Sequence, residues 1–222
     1  MAASVISLQG VAKSYCLNGR CLKVLRDFDL QIETGEFAAL TGPSGVGKST
    51  VLNLIGGLDH PDGGQVLVAQ TALETLSTRQ LARWRAAHVG FVFQSHNLLS
   101  FLTAAENIEL PLLLKALPGH ERHRRVGECL RQLGLADRSD HRPGQLSGGQ
   151  QQRVGIGRAM IADAPILLCD EPTADLDRST AEEILTLLER LTHTGRTVLM
   201  VTHDPECARR AHRQIRLEGG GA

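Results

Sequence analysis

The sequence predicts an α/β core interrupted by a helical insertion, and three observations carry that expectation. Apolar, β-rich runs at 37–40, 166–169 and 197–201 are continuous rather than alternating, which suits strands buried on both faces of a parallel sheet. Helical patterns near 48–56, 78–87, 121–133, 150–162, 179–192 and 205–211 alternate with those runs. From Gln94 to about Gly144 the chain is rich in leucine and charge and holds no convincing strand. Further β-rich runs fall at 5–8, 22–32, 66–68 and 89–93.

The first core strand carries the most informative motif. Phe37-Ala38-Ala39-Leu40 leads to Gly42-Pro43-Ser44-Gly45-Val46-Gly47-Lys48-Ser49-Thr50, which opens onto the helical Val51-Leu52-Asn53-Leu54-Ile55. A strand, a G-x-x-x-x-G-K-[ST] loop and a helix in that order make a phosphate cradle. The glycines let backbone N–H groups turn inward on an anion, and the helix N-terminus adds partial positive charge. Lys48 is expected to reach the β- and γ-phosphates and the Ser49 hydroxyl to hold Mg²⁺. A nucleoside triphosphate is the implied ligand.

The insertion reads as helical stretches at 110–117 and 121–133, broken by Pro118-Gly119 and Arg142-Pro143-Gly144. Beyond it, Leu146-Ser147-Gly148-Gly149-Gln150 precedes a helical run, so a hydroxyl, glycine N–H groups and a helix dipole form a second anion site. Pro165-Ile166-Leu167-Leu168-Cys169 ends in Asp170-Glu171. Adjacent strand residues point to opposite faces, so the two acids are expected to take different roles. Asp170 is placed on the Mg²⁺ shell, and Glu171 is placed to activate a water as general base.

Composition narrows the remaining choices. The 222 residues hold 24 basic and 24 acidic side chains, so no global field argues for nucleic acid or an anionic membrane. The run Arg122-His123-Arg124-Arg125 reads as a solvated helix face. Five cysteines with no C-x-x-C pair indicate neither a disulfide framework nor zinc, and His120 and His123 read as an exposed helical turn. No window approaches a membrane span and the N-terminus lacks a secretion signal, so a cytosolic chain is expected. Gly219-Gly220-Gly221-Ala222 reads as a frayed tail.

Taken together, these motifs resemble, over essentially the whole chain, the nucleotide-binding subunit of an ATP-binding cassette transporter. The motifs stand in family order: Tyr15, the phosphate loop at 42–50, Gln94, the signature at 146–150, Asp170-Glu171, Asp177 and His203. The resemblance implies a single cassette over 1–222. Its fold would be an α/β phosphate-loop NTPase core at about 1–94 and 145–222, with a helical subdomain at about 95–144 and an N-terminal antiparallel β subdomain. It implies a head-to-tail homodimer that encloses two ATP with Mg²⁺, each between one phosphate loop and the partner's Ser147, Gly148, Gly149 and Gln150. In that family pattern Tyr15 stacks on adenine, and Gln94 touches Mg²⁺ or the attacking water. Asp177 crosses the dimer interface, and His203 contacts the γ-phosphate. A membrane permease docked on the helical subdomain and the Gln94 region is the implied partner, with the cassette peripheral on the cytoplasmic face of the inner membrane.

Gly90-Phe91-Val92-Phe93-Gln94, Asn97-Leu98-Leu99, Glu106-Asn107-Ile108 and Leu110-Pro111-Leu112 resemble the lipoprotein-release, macrolide-efflux and cell-division group, whose hydrolysis moves a permease mechanically. The sequence departs from the family pattern at Gly155-Ile156-Gly157-Arg158, where alanines are usual and glycine costs about 1 kcal/mol per site. It departs again at Ala174-Asp175, and it ends soon after the last predicted strand without a regulatory domain. A soluble cassette ATPase of DNA repair or translation is the alternative; the neutral charge balance argues against its nucleic-acid surface. The absence of N-K-x-D disfavours a GTPase, and Glu171 disfavours a non-hydrolytic binding module.

Overall fold

The computed structural model describes residues 4–17, 19–174 and 176–218. Asp175, Met1–Ala3 and the tail at 219–222 lie outside the described residues. β1 (Ser4–Leu17) and β2 (Arg20–Glu33) form a long antiparallel hairpin. β3 (Phe37–Thr41) leads through the glycine loop into α1 (Lys48–Ile55), after which β4 (Gly63–Val68) and β5 (Thr71–Ala72) return to the hairpin. Next come α2 (Thr78–His88), β6 (Val89–Val92), α3 (Ala104–Glu109), α4 (Gly119–Gln132) and α5 (Gly148–Met160). β7 (Ile166–Asp170), α6 (Arg178–His193), β8 (Thr197–Val201), α7 (Pro205–Ala208) and β9 (Arg213–Arg216) close the order. The strands make two sheets, an antiparallel one in the order β2-β1-β4-β5 and a parallel one in the order β6-β7-β8-β3-β9.

The continuous apolar runs are explained by burial on both faces. Ala38 and Leu40 of β3, Ile166 and Leu168 of β7 and Leu199 and Val201 of β8 face α1 and the antiparallel sheet, in a core with Ile6, Ile32, Leu52 and Val68. The intervening Phe37, Ala39, Leu167, Cys169, Val198 and Met200 face the other way, onto Ile108, Leu130, Ile156 and Leu188. The period-2 alternation of a strand sends successive apolar side chains into two different cores.

The structure corrects four sequence expectations. The first strand runs to Leu17 rather than 8, and β5 and β9 are additional; β9 is polar and mostly exposed, so its apolar pattern gave no signal. The leucine-rich stretch at 110–117 is not an α-helix. Helix α3 precedes it, opened by a capping box between Thr103 and Glu106, and a 3-10 turn spans Leu110–Leu114. Pro111 lacks the N–H that would continue the α-helical hydrogen-bond pattern. The expected helix at 205–211 is a single turn, Pro205–Ala208. Finally, Cys16 and Cys21 form a disulfide, with Cα atoms 4.0 Å apart. The hairpin register sets them directly opposite each other, a juxtaposition that cysteine count and C-x-x-C spacing do not reveal. Cys129, Cys169 and Cys207 are free and buried.

Candidate nucleotide-binding and hydrolysis site

The site lies at the carboxyl ends of β3, β7 and β8, where loops leave an open parallel sheet and ligands commonly bind. The loop after β3 turns through Gly45 at φ 78° and Gly47 at φ 111°, left-handed conformations that glycine adopts without steric cost. A side chain at Gly47 would meet Val24 Cγ1 at 2.5 Å. Lys48 is 6% exposed, and its ammonium donates to the carbonyls of Gly42 at 2.9 Å and Pro43 at 3.1 Å, so the loop is wrapped around it.

Ser49 Oγ donates to Asp170 Oδ1 at 3.2 Å, joining residues 121 apart in sequence. Burial raises the Asp170 pKa above the ordinary carboxylate value, opposed by the Ser49 hydrogen bond. Glu171 lies just past β7 with φ 47°, and its N–H donates to Val201 O at 3.0 Å. Its carboxylate accepts from His203 Nδ1 at 2.8 Å and from His203 N–H at 3.3 Å. Because the carboxylate only accepts, Nδ1 carries the proton and Nε2 is left for another contact. The five residues Lys48, Ser49, Asp170, Glu171 and His203 thus gather around three neighbouring strand ends. Gln94 follows β6 and is exposed.

Tyr15 stands at the edge of this region, 43% exposed. Its hydroxyl donates to Asp59 Oδ2 at 2.8 Å, and the Lys13 ammonium lies 5.1 Å from its ring centroid. Lys13 in turn bonds Asp59 Oδ1 and His60 O, each at 2.7 Å. Burial opposes ionisation of Asp59, but hydrogen bonds from Lys13 and Tyr15 outweigh it and hold the carboxyl below its usual range. This anchor ties the Tyr15 strand to the loop after α1, and sequence reasoning missed it because Lys13 and Asp59 belong to no motif.

Ser147 caps α5: its hydroxyl accepts from Gln150 N at 3.3 Å while its N–H donates to Gln150 Oε1 at 3.0 Å. Gly149 packs so closely on α6 that a Cβ there would lie 2.6 Å from Thr180 Cγ2. Asp177 caps α6 through Thr180 N at 3.1 Å and Thr180 Oγ1 at 2.6 Å, which lowers its pKa. Among the described residues no hydrogen bond or ion pair joins 147–150 or Asp177 to the phosphate loop. Arg158, also outside the expected set, donates to Asn97 O at 2.6 Å and His96 O at 2.8 Å, pinning the segment after Gln94 to α5.

A glycine loop on a buried lysine, an acid joined to the loop's serine, and a second acid in a neighbouring turn define a phosphate-loop nucleotide-binding domain. The family model described as ABC transporter matches residues 25–174, and the chain belongs to that family as an ABC ATPase domain. It is 47% identical over 218 residues to a macrolide export ATP-binding/permease protein MacB 1/2 of Paracoccus denitrificans, covering 98% of this chain and 33% of that protein. The chain spans about a third of the length of the first curated relatives it matches. A second relative is the uncharacterized ABC transporter ATP-binding protein MJ0796 of Methanocaldococcus jannaschii, 46% identical over 97% of this chain and 94% of its own length. The dimeric post-hydrolysis structure of MJ0796 bound to ADP and Pi superposes with a TM-score of 0.92 at 44% identity, covering 97% of this chain and 95% of that one. The antiparallel and parallel sheets agree with the fold class expected from the sequence.

Proposed function

We propose that this chain binds ATP with Mg²⁺, hydrolyses it within a head-to-tail dimer of two copies, and drives a membrane permease of the export or mechanically coupled kind. The observation that carries this reading is the convergence of Lys48, the Ser49–Asp170 pair and the Glu171–His203 pair at adjacent strand ends. The dimeric, ADP- and Pi-bound state of a neighbour with a 0.92 TM-score supports the composite arrangement.

The donors fit Mg²⁺, a hard cation that takes oxygen ligands: a hydroxyl and a partly buried carboxylate already stand together at 3.2 Å. Ser49, Asp170 and Gln94 would hold it, and the bound ion supplies charge neutralisation at the phosphates. Loop residues 42–50 and Lys48 bind and orient the β- and γ-phosphates. Glu171 takes the proton of the attacking water. His203, held through Nδ1 by Glu171, presents Nε2 toward the γ-phosphate. Tyr15 offers its ring to adenine. Ser147, Gly148, Gly149 and Gln150 of the second copy close the charge shell, with Asp177 at the interface.

Within one cassette over 1–222, the helical subdomain at 95–144 and the Gln94 region carry the permease contact. Phe101, Leu113 and Leu114 are exposed there, at 67%, 55% and 77%. Among the described residues no helix is long and apolar enough to cross a membrane, which fits a peripheral place on the cytoplasmic face of the inner membrane. ATP turnover by wild type and Glu171→Gln, with sizing in ATP and Mg²⁺, tests the proposal. Turnover by wild type and an ATP-dependent dimer of the variant are expected; undiminished hydrolysis by Glu171→Gln would remove Glu171 as the base.

A further inference from the structure

The helix whose N-terminus carries Ser147–Gln150 also reaches the segment just behind Glu171. Gln152, in the second turn of α5, is 2% exposed, and its Nε2 donates to Pro172 O at 2.7 Å. A carbonyl oxygen only accepts, so the amide nitrogen must face it. That orientation leaves Gln152 Oε1 buried and, among the described residues, without a hydrogen-bond partner. An unpaired buried amide oxygen is unfavourable, and an apolar side chain of the same length would avoid it. Gln152 therefore works against stability at one atom while it clamps one particular carbonyl.

The clamped carbonyl belongs to the residue after Glu171. Pro172 is buried and has no N–H to secure its own peptide. Glu171 is held at φ 47°, a left-handed conformation that a side-chain-bearing residue keeps only when its surroundings impose it. Four bonds hold the residue in place: Glu171 N–H to Val201 O, Ala174 N–H to Glu171 O, and the two bonds from His203 to the Glu171 carboxylate. Gln152 adds a restraint from α5, on the carbonyl of the next residue.

We propose that Gln152 is a positioning residue for Glu171: its bond from α5 to the Pro172 carbonyl fixes the turn that presents the Glu171 carboxylate. This inference rests on Glu171 being the general base. Losing the bond would let the turn relax and move the carboxylate off the water's line of approach, where misplacement of about 1 Å costs up to about a hundredfold in rate.

The test uses Gln152→Met, which removes the donor and the orphaned oxygen together at nearly constant volume. Its kcat for ATP is expected to fall by about tenfold to a hundredfold. KM and ATP affinity should stay within about twofold, and Tm within about 4 °C. In Gln152→Glu the new carboxyl donates to Pro172 O only when protonated, and burial raises its pKa. Turnover relative to wild type should therefore recover as pH falls, which a purely structural role would not produce. Wild-type kcat in Gln152→Met, or an equal loss of kcat and ATP affinity with no pH-dependent recovery in Gln152→Glu, overturns the inference. Glu171→Gln separates the two levels: if it keeps wild-type turnover, both the base assignment and the inference fall. If it is inactive while Gln152→Met turns over normally, only the inference falls.

Discussion

Gly155 and Gly157 both lie within α5, and sequence alone assigns both the same cost, about 1 kcal/mol each relative to alanine. The packing separates them. A Cβ at Gly155 would find His96 O at 3.7 Å, an ordinary contact. One at Gly157 would lie 2.6 Å from Leu133 Cδ1, 3.0 Å from Ile108 Cδ1 and 3.2 Å from Cys129 Sγ. Those three side chains belong to the buried cluster between α3, α4 and α5, where none can swing into solvent. Overpacking of this kind costs about 1–3 kcal/mol, so Gly157→Ala should be destabilising by about 0–2 kcal/mol after the gain in helix propensity. Gly155→Ala should be stabilising by about 1 kcal/mol. In thermal unfolding of the two variants side by side, Tm should rise by about 2–4 °C for Gly155→Ala and fall by as much as about 8 °C for Gly157→Ala. If Gly157→Ala raised Tm as much as Gly155→Ala, the close approach of the three helices would not be what glycine permits there.

Asp170→Asn should lower Mg²⁺-dependent ATP turnover by about a hundredfold or more, because the metal loses a charged ligand. Without Mg²⁺ the same variant should be at least as stable as wild type at neutral pH. Burial raises the folded Asp170 pKa, so protonation favours the fold; this contribution is present at low pH and lost as pH rises through the folded value. The Tm gap between variant and wild type should accordingly narrow toward low pH, and a less stable variant at pH 7 would contradict the assignment. Thiol alkylation of the native chain, followed by mass spectrometry, should label none of the five cysteines rapidly before mild reduction and Cys16 and Cys21 after it. Burial pushes the Cys129 thiol up to about 12 and raises Cys169 and Cys207 as well, so these three stay protonated and covered.

What the sequence by itself determined are the features encoded within a few consecutive residues. The phosphate loop needs only its glycines and the helix behind it, and the glycine-opened start of α5 at 146–150 is likewise local. The three continuous apolar runs announced the central strands because burial on both faces leaves no room for alternation. Tertiary structure decided the partnerships. Ser49 meets Asp170, and Glu171 meets His203, because β3, β7 and β8 lie in an order that no local pattern states. The Cys16–Cys21 bond depends on hairpin register, and the Tyr15 anchor on a loop that Asp59 brings back to β1. Gln152 and Pro172 stand 20 residues apart and meet only because α5 packs beneath the turn after β7. Local chemistry sets backbone conformation over a turn or a strand. Which side chains then face one another depends on how those pieces are buried together, and that is a property of the whole chain.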